Sequence, residues 1–438
     1  MITKPMLMLS IDNVFMSVKD LKEVSLYSSI DMTLPELTFK IEDNGGTHAA
    51  LMEIYVGAIV AVQVIDFNDN LNDDAKSGYP YMQFIVTKIL DGFEHNDDTL
   101  SGFLQVWCKP AWYMFGTYQG HAYPPMKLSE LIKKVCQDAN GSAKLKVEDE
   151  NFANSSDPGN VPRFKTGESD IDFIEQKLLP YTNIDDSNVF FFVDWFNKPH
   201  LTSFARLISQ TEKVLLIPPQ MISSSVEKTV TKISEQKGIN EVYSWDSIKL
   251  TVGDENIRNA FATLKEQVTF ENNETGKVYI ANQQPKAKLG KDSFPNYNAK
   301  MPINAISMEY ISATGSKTFP NRLLPDALAL ARNDDNNVID FMQIEVSVNG
   351  IVDKVAAGDT AFLLPPLRLN KDENATDEEK KKKIHWITGK WLIKAIQVSQ
   401  TDGKTENATS LLELVRPTMQ FSSEQTTIAN PAYFYTVD

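Results

Sequence analysis

The segment from Arg163 to Ile174, followed by the aromatic run Val189-Phe190-Phe191-Phe192-Val193, constrains this chain more than any other stretch. An extended piece ends in Glu168-Ser169-Asp170 and an amphipathic helix starts at once. Ser169 is placed to cap it, the hydroxyl accepting from the amide of Asp172 while the Asp172 carboxylate reaches back. Asp170 and Asp172 suit the positive end of the helix dipole. Ile171, Ile174 and Leu178 share one face with Phe173 beside them, and Pro180 stops the run. The spacing predicts a capped helix packed on a sheet, then a strand, a polar turn and the segment Leu201 to Phe204. A nucleophile elbow is excluded, because Gly167-Glu168-Ser169-Asp170-Ile171 lacks the second glycine of that strained turn.

A chain of 438 residues, 42% apolar and 23% charged, is globular and too long for one small core, so two to four domains or subdomains are expected. Its apolar stretches are short, and Met1 to Ser10 is too brief for a signal peptide or membrane span, so synthesis in the cytosol is expected. Cys108 and Cys136 share no metal-like spacing and read as core thiols. The net charge of −15 argues against nucleic acid as a bound partner, since phosphate binding needs clustered cations. Lys380 to Lys383 follow Asp377-Glu378-Glu379 and read as a solvated loop of mixed charge.

Residues 1–110 read as β: Leu37, Phe39 and Ile41 alternate with Thr38, Lys40 and Glu42, Val60, Val62 and Val64 form a second run, and Met82, Phe84 and Val86 a third. Asn44-Gly45-Gly46 supplies a turn. The loop Asp66 to Asp74 carries closely spaced oxygen donors, as Ca²⁺ requires. It departs from the EF-hand pattern at Leu71 and Ser77, which makes a polar hairpin loop the better reading. Leu128, Leu131, Ile132, Val135, Cys136 and Ala139 form a helical stripe ending near Asn140-Gly141. Val242-Tyr243-Ser244-Trp245 is a strand, and residues 256–320 give no clear order of elements. A helix from Leu323, strands around Phe341 to Val348, the turn Gly358-Asp359 into an apolar strand, the strand opened by Gly389-Lys390-Trp391 and a last strand ending in Arg416-Pro417 complete the pass.

The order of the Glu168-Ser169-Asp170 helix and its aromatic strand resembles the central baseplate hub proteins of contractile phage tails, a family shared with type VI secretion spikes and phage tail-tip proteins. The Gly358-Asp359 turn and the Gly389/Trp391 strand resemble the second barrel of the same family. The resemblance implies an α+β, β-rich fold: two small β-barrels of similar topology plus a middle α/β domain. The expected division is a tube-like barrel at 1–110, a middle domain at 111–219 with 256–324 inserted, a discontinuous second barrel at 220–255 and 325–416, and a C-terminal tail at 417–438. The insertion Asn370 to Lys383 departs from the family, and 256–320 has no counterpart. Glu168, Ser169, Asp170, Phe173, Gly358, Asp359, Gly389 and Trp391 are its structural motif residues. The implied function is a homotrimeric hub in the tail baseplate of a virion. It adapts a sixfold tail tube to a threefold spike, touches tube, spike, tape-measure and wedge proteins, and has an acidic channel through which DNA passes without stable binding. An alternative is the hub or spike of a phage-like contractile injection or secretion particle.

Enzyme readings are weak, and neither catalysis nor a cofactor is expected. His48, His95, His121, His200 and His385 have no metal-ligand spacing. Gly315-Ser316-Lys317-Thr318 lacks the Gly-Lys pair of a phosphate loop. A carbohydrate-active protein using Glu168 and Asp172 as paired carboxylates is a remote alternative, without a cleft signature to accompany them.

Overall fold

The computed structural model describes residues 6–12, 14–16, 21–43, 54–65, 81–96, 99–112, 120–143, 145–157, 159, 162–185, 188–219, 234–235, 237–251, 266–272, 277–283, 310–313, 342–364, 389–402, 404 and 407–416. The Asn44-Gly45-Gly46 turn, the Asp66 to Asp74 loop, the helix from Leu323, the insertion Asn370 to Lys383 and the 417–438 tail lie outside the described residues.

Along the chain come β1 (Met6–Ile11), β2 (Val14–Phe15), β3 (Leu21–Ser29), β4 (Glu36–Glu42), β5 (Ile59–Ile65), β6 (Tyr81–Asn96) and β7 (Thr99–Pro110). A more helical stretch holds β8 (His121–Tyr123), α1 (Leu128–Ala143), β9 (Arg163–Lys165), α2 (Asp170–Asp172, continued by a π-helical turn over Phe173–Leu178), β10 (Val189–Val193), β11 (Pro199–Ser203) and α3 (Phe204–Ser209). Then follow β12 (Val214–Ile217), β13 (Glu241–Thr251), β14 (Glu266–Asn272), β15 (Lys277–Gln283), β16 (Tyr310–Ala313), β17 (Met342–Asn349), β18 (Thr360–Leu363), β19 (Gly389–Thr401) and β20 (Ala408–Arg416).

Thirteen strands form one sheet, β18-β12-β13-β17-β20-β19-β3-β4-β7-β6-β5-β1-β2. Its C-terminal part closes: β18 pairs with β12 on one side and β19 on the other, making a six-stranded barrel of β12, β13, β17, β20, β19 and β18. The N-terminal strands repeat that order. Taken in sequence, β1, β3, β4, β5, β6 and β7 occupy the places of β12, β13, β17, β18, β19 and β20. Two differences separate the sets. β1 runs antiparallel to β5, where β12 runs parallel to β18. No backbone pairing joins β1 to β3 among the described residues; β3 instead pairs with β19, Glu23–Ser29 against Ala395–Thr401. Of the two expected barrels, one is closed, and the other strand set carries the matching order without closing. At its seam, buried Gln400 of β19 accepts from the Leu7 amide at 2.7 Å. A side chain there stands in for a neighbouring strand.

Period-two alternation explains the strands. Along β4, Leu37, Phe39 and Ile41 are buried and the residues between them are half-buried, so the strand has one core face. Burying each such side chain contributes about 1.5–3 kcal/mol. The largest apolar cluster runs through both strand sets, and a second surrounds α1 and α2. β10 belongs to both: Phe190 and Phe192 enter the first cluster, Val189, Phe191 and Val193 the second.

Several elements differ from expectation. α1 continues past Asn140-Gly141 to Ala143. Its first amides are satisfied from a distant loop, Leu128 donating to Asp157 and Ser129 to the Ser155 hydroxyl. β12 lies in the stretch expected for the middle domain, yet it is a barrel strand. Within 256–320, β14, β15 and β16 form a small sheet with one antiparallel and one parallel pairing.

Candidate functional site

The eight motif residues fall into two groups. In the first, Ser169 caps α2: its hydroxyl accepts from the Asp172 amide at 3.0 Å and donates to the Asp172 carboxylate at 2.6 Å. Phe173 is buried in the second cluster, stacked 5.7 Å from Tyr123. Asp170 is buried in an ion pair with Lys165 of β9, a partner five residues back that the helix reading passed over. Gly167, at φ +114°, turns the chain so that the two meet. Burial pushes the Glu168 carboxyl up, but Lys177 at 2.7 Å and the Thr166 amide and hydroxyl outweigh it and hold it at about 2. Glu168 and Asp172, the remote catalytic pair, are thus both tied to structural partners.

The second group lies along the β18–β19 pairing of the closed barrel, with Gly358 beside β10. The Gly358 amide donates to the Ile393 carbonyl, and the Ile393 amide to the Asp359 carbonyl, locking the turn onto β19 beside its bulge. Gly358 has φ +92°, and a Cβ there would lie 2.7 Å from the Phe192 ring, so glycine is required twice over. The Asp359 carboxylate accepts from the Ala356 amide and pairs with Lys213 at 2.6 Å. Gly389, at φ +121°, opens β19 opposite Leu363. Trp391 is fully buried with the Arg416 guanidinium 4.4 Å from its ring centroid. Burial lowers Arg416 to about 10, so it remains charged near neutral pH.

A cleft of about 690 Å³ opens beside this turn, lined among others by Lys146, Asp194, Lys198, His200, Arg206, Lys213 and Asp359. Two of its carboxylates, Asp194 and Asp359, have structural tasks. Asp194 accepts from the amides of Phe196 and Lys198 and from His200, whose ring stacks on Phe192 at 5.0 Å. Neither Glu168 nor Asp172 lines it. Among the described residues no cluster of three or more His, Cys, Asp or Glu could hold a metal ion, and no helix is long and apolar enough to cross a membrane. Cys108 and Cys136 are buried free thiols, and burial pushes both far up, which makes them poor nucleophiles.

The face of the long sheet turned away from the core carries a row of polar residues. Across β17, β20, β19, β3 and β4 it presents Ser347, Thr409, Ser399, Gln397, Ser25 and Thr38, each alternating with a buried neighbour. Gln397 donates to the Ser25 hydroxyl across the β19–β3 junction at 2.8 Å. Lysines on this face are held by carboxylates: Lys22 pairs with Glu42, Lys109 with Glu36, and Lys249 with Glu345. Lys40 and Lys88 lie over the rings of Phe103 and Trp107. Alternation in the separate strands was legible, but their assembly into one continuous face depends on the β19–β3 pairing.

No protein-family model matches the chain, and no curated protein matches it in sequence. Among solved structures it is similar to the 43 kDa tail protein of prophage MuSo2 from Shewanella oneidensis, at 10% identity and TM-score 0.49 over 94% of this chain and 98% of that one. A tail protein from Neisseria meningitidis MC58 is similar at 10% identity and TM-score 0.47, over 94% and 97% of the two chains. The third is the E. coli c3393 protein, described as a type VI secretion component structurally similar to the T4 tail proteins gp27 and gp5. It shows 9% identity and TM-score 0.43 over 95% of this chain and 77% of that one. Over nearly its whole length, the chain matches structures of phage tail proteins and of a type VI secretion component.

Proposed function

We propose that the protein is a trimeric tail baseplate hub, a structural component that joins a sixfold tube to a threefold spike. One observation carries this reading: two strand sets with the same order are fused side by side into one sheet by β3 and β19. Each chain then offers two quasi-equivalent modules, and three chains in a closed ring offer six. In this reading the N-terminal set is the first tube-like barrel, and the β12–β20 set the second. The helical stretch between them, together with the 256–324 insertion, forms the middle domain. Tube, spike, tape-measure and wedge proteins are its partners, the virion tail is its location, and it catalyses nothing.

The continuous polar face of the sheet would line the channel. Its hydroxyls and amides, with cations held by carboxylates or aromatic rings, leave little free positive charge for phosphates to condense on. DNA would pass without sticking. Light scattering on the purified chain, alone and with its spike, tests the reading through the mass of a threefold ring. A stable monomer in both preparations at micromolar concentration overturns it.

A further inference from the structure

We propose that the outer edge of β6 beyond Lys88 pairs antiparallel with the edge of β13 from Ser247 to Thr251 in a neighbouring copy. This repeats between chains the junction that β19 and β3 make within one. The inference rests on the ring reading above and names the surfaces that close the ring.

The cis junction is the template. β19 runs beside β18 from Gly389 to Leu392, passes a bulge between Ile393 and Ala395, and projects beyond its neighbour. β3 takes the projecting edge, from Ala395↔Ser29 to Thr401↔Glu23. β6 occupies the place of β19 in its own set and behaves likewise. It runs beside β5 from Tyr81 to Ile85, passes a bulge between Val86 and Lys88, and continues to Asn96. Among the described residues only β7 lies beside that continuation.

β13 is the counterpart of β3, and both carry a bulge near the start of the pairing with the next strand: Leu21/Glu23 in β3, Trp245/Ser247 in β13. β12 covers β13 only as far as Ser244, so among the described residues the edge opposite β17 is open beyond it. Aligning bulge with bulge sets Lys88 in the place of Ala395 and Ser247 in that of Glu23. The resulting register puts Phe93 opposite Ile248, Asp91 opposite Leu250 and Leu90 opposite Thr251.

In that register Phe93 faces Ile248 directly and Leu250 on the diagonal. Phe93 is 70% exposed, Leu90 46% and Leu250 38%. Such edges invite pairing with another chain unless something blocks them. Within one chain β13 and β6 stand seven strand steps apart in the sheet and do not pair, so the occupant is a second copy of this chain, joined as the two like strand sets are joined in cis.

The test is carried out on the full chain carrying Phe93→Cys and Ile248→Cys together, under mild oxidation, with light scattering in parallel. Cys108 and Cys136 are buried and do not compete. The expected result is a disulfide-linked ladder that ends at three chains and is lost when either cysteine is left out. A trimer by mass without this link overturns the edge pairing and leaves the hub reading standing, whereas a monomer both alone and with the spike overturns both. Phe93→Asp supplies a second readout: the melting temperature of the separated chain should be unchanged while the trimer dissociates at least tenfold more readily. A trimer as tight as the unaltered one counts against the proposal.

Discussion

Lys165 and Asp170 hold their charges almost out of water, with side chains 1% and 9% exposed. A buried pair need not add stability, but removing one member strands the other, so Lys165→Met should cost about 3–5 kcal/mol in chemical denaturation. Adding Asp170→Leu should restore part of the loss. Ser169→Ala, which removes only the cap, should cost about 1 kcal/mol, and Phe173→Ala about 3–5 kcal/mol. Glu168 adds a pH dependence. Its carboxyl lies at about 2 in the folded chain against an ordinary 4.5, so its stabilisation is complete above the ordinary value and is lost as pH falls through the folded one. Glu168→Gln should therefore flatten the fall in melting temperature between about pH 4.5 and 2. The Ser169 cap was legible because its partners lie within one helical turn. The Lys165 pair was not, since it exists only after Gly167 folds the strand back on the helix.

Among the elements, β10 and the Gly358 turn bear most on how the parts dock. Gly358→Ala meets both a left-handed backbone and the Phe192 ring, so it should cost at least the 1–3 kcal/mol of backbone strain alone. Phe192→Leu should relieve the steric part, and a double-mutant cycle on melting would measure the coupling. Strand β4 could be read directly because it has one core face and alternates, and β5 and β6 because their valines and aromatic residue recur every second position even though Ala61 and Ile85 between them are also buried. β10 reads as a strand without revealing its two cores, since a run of five apolar residues has no alternation to interpret. β12 was misplaced for another reason: its four apolar residues gain barrel membership only by parallel pairing with β18, far along the chain. The π-helical turn of α2 departs from the 3.6-residue period, yet Phe173, Ile174 and Leu178 remain buried as the stripe requires.

For the whole molecule, the seam between β1 and β3 is where two like strand sets diverge. Gln400→Leu should leave the Leu7 amide without its partner at a cost of about 1–3 kcal/mol, and hydrogen exchange should quicken at that amide before it does at β4. Two groups of strands were visible in the sequence. Their shared order was not, nor was their fusion through β3 and β19, because strands about 370 residues apart leave no local trace of pairing. β10 has a mechanical meaning at this scale. A pull separating the helical region from the sheet cannot part them along a slippery plane, because successive rings of one strand are gripped from opposite sides. Such a joint resists peeling until the strand itself is torn out, and under sudden axial load the two bodies would move as a single stiff piece.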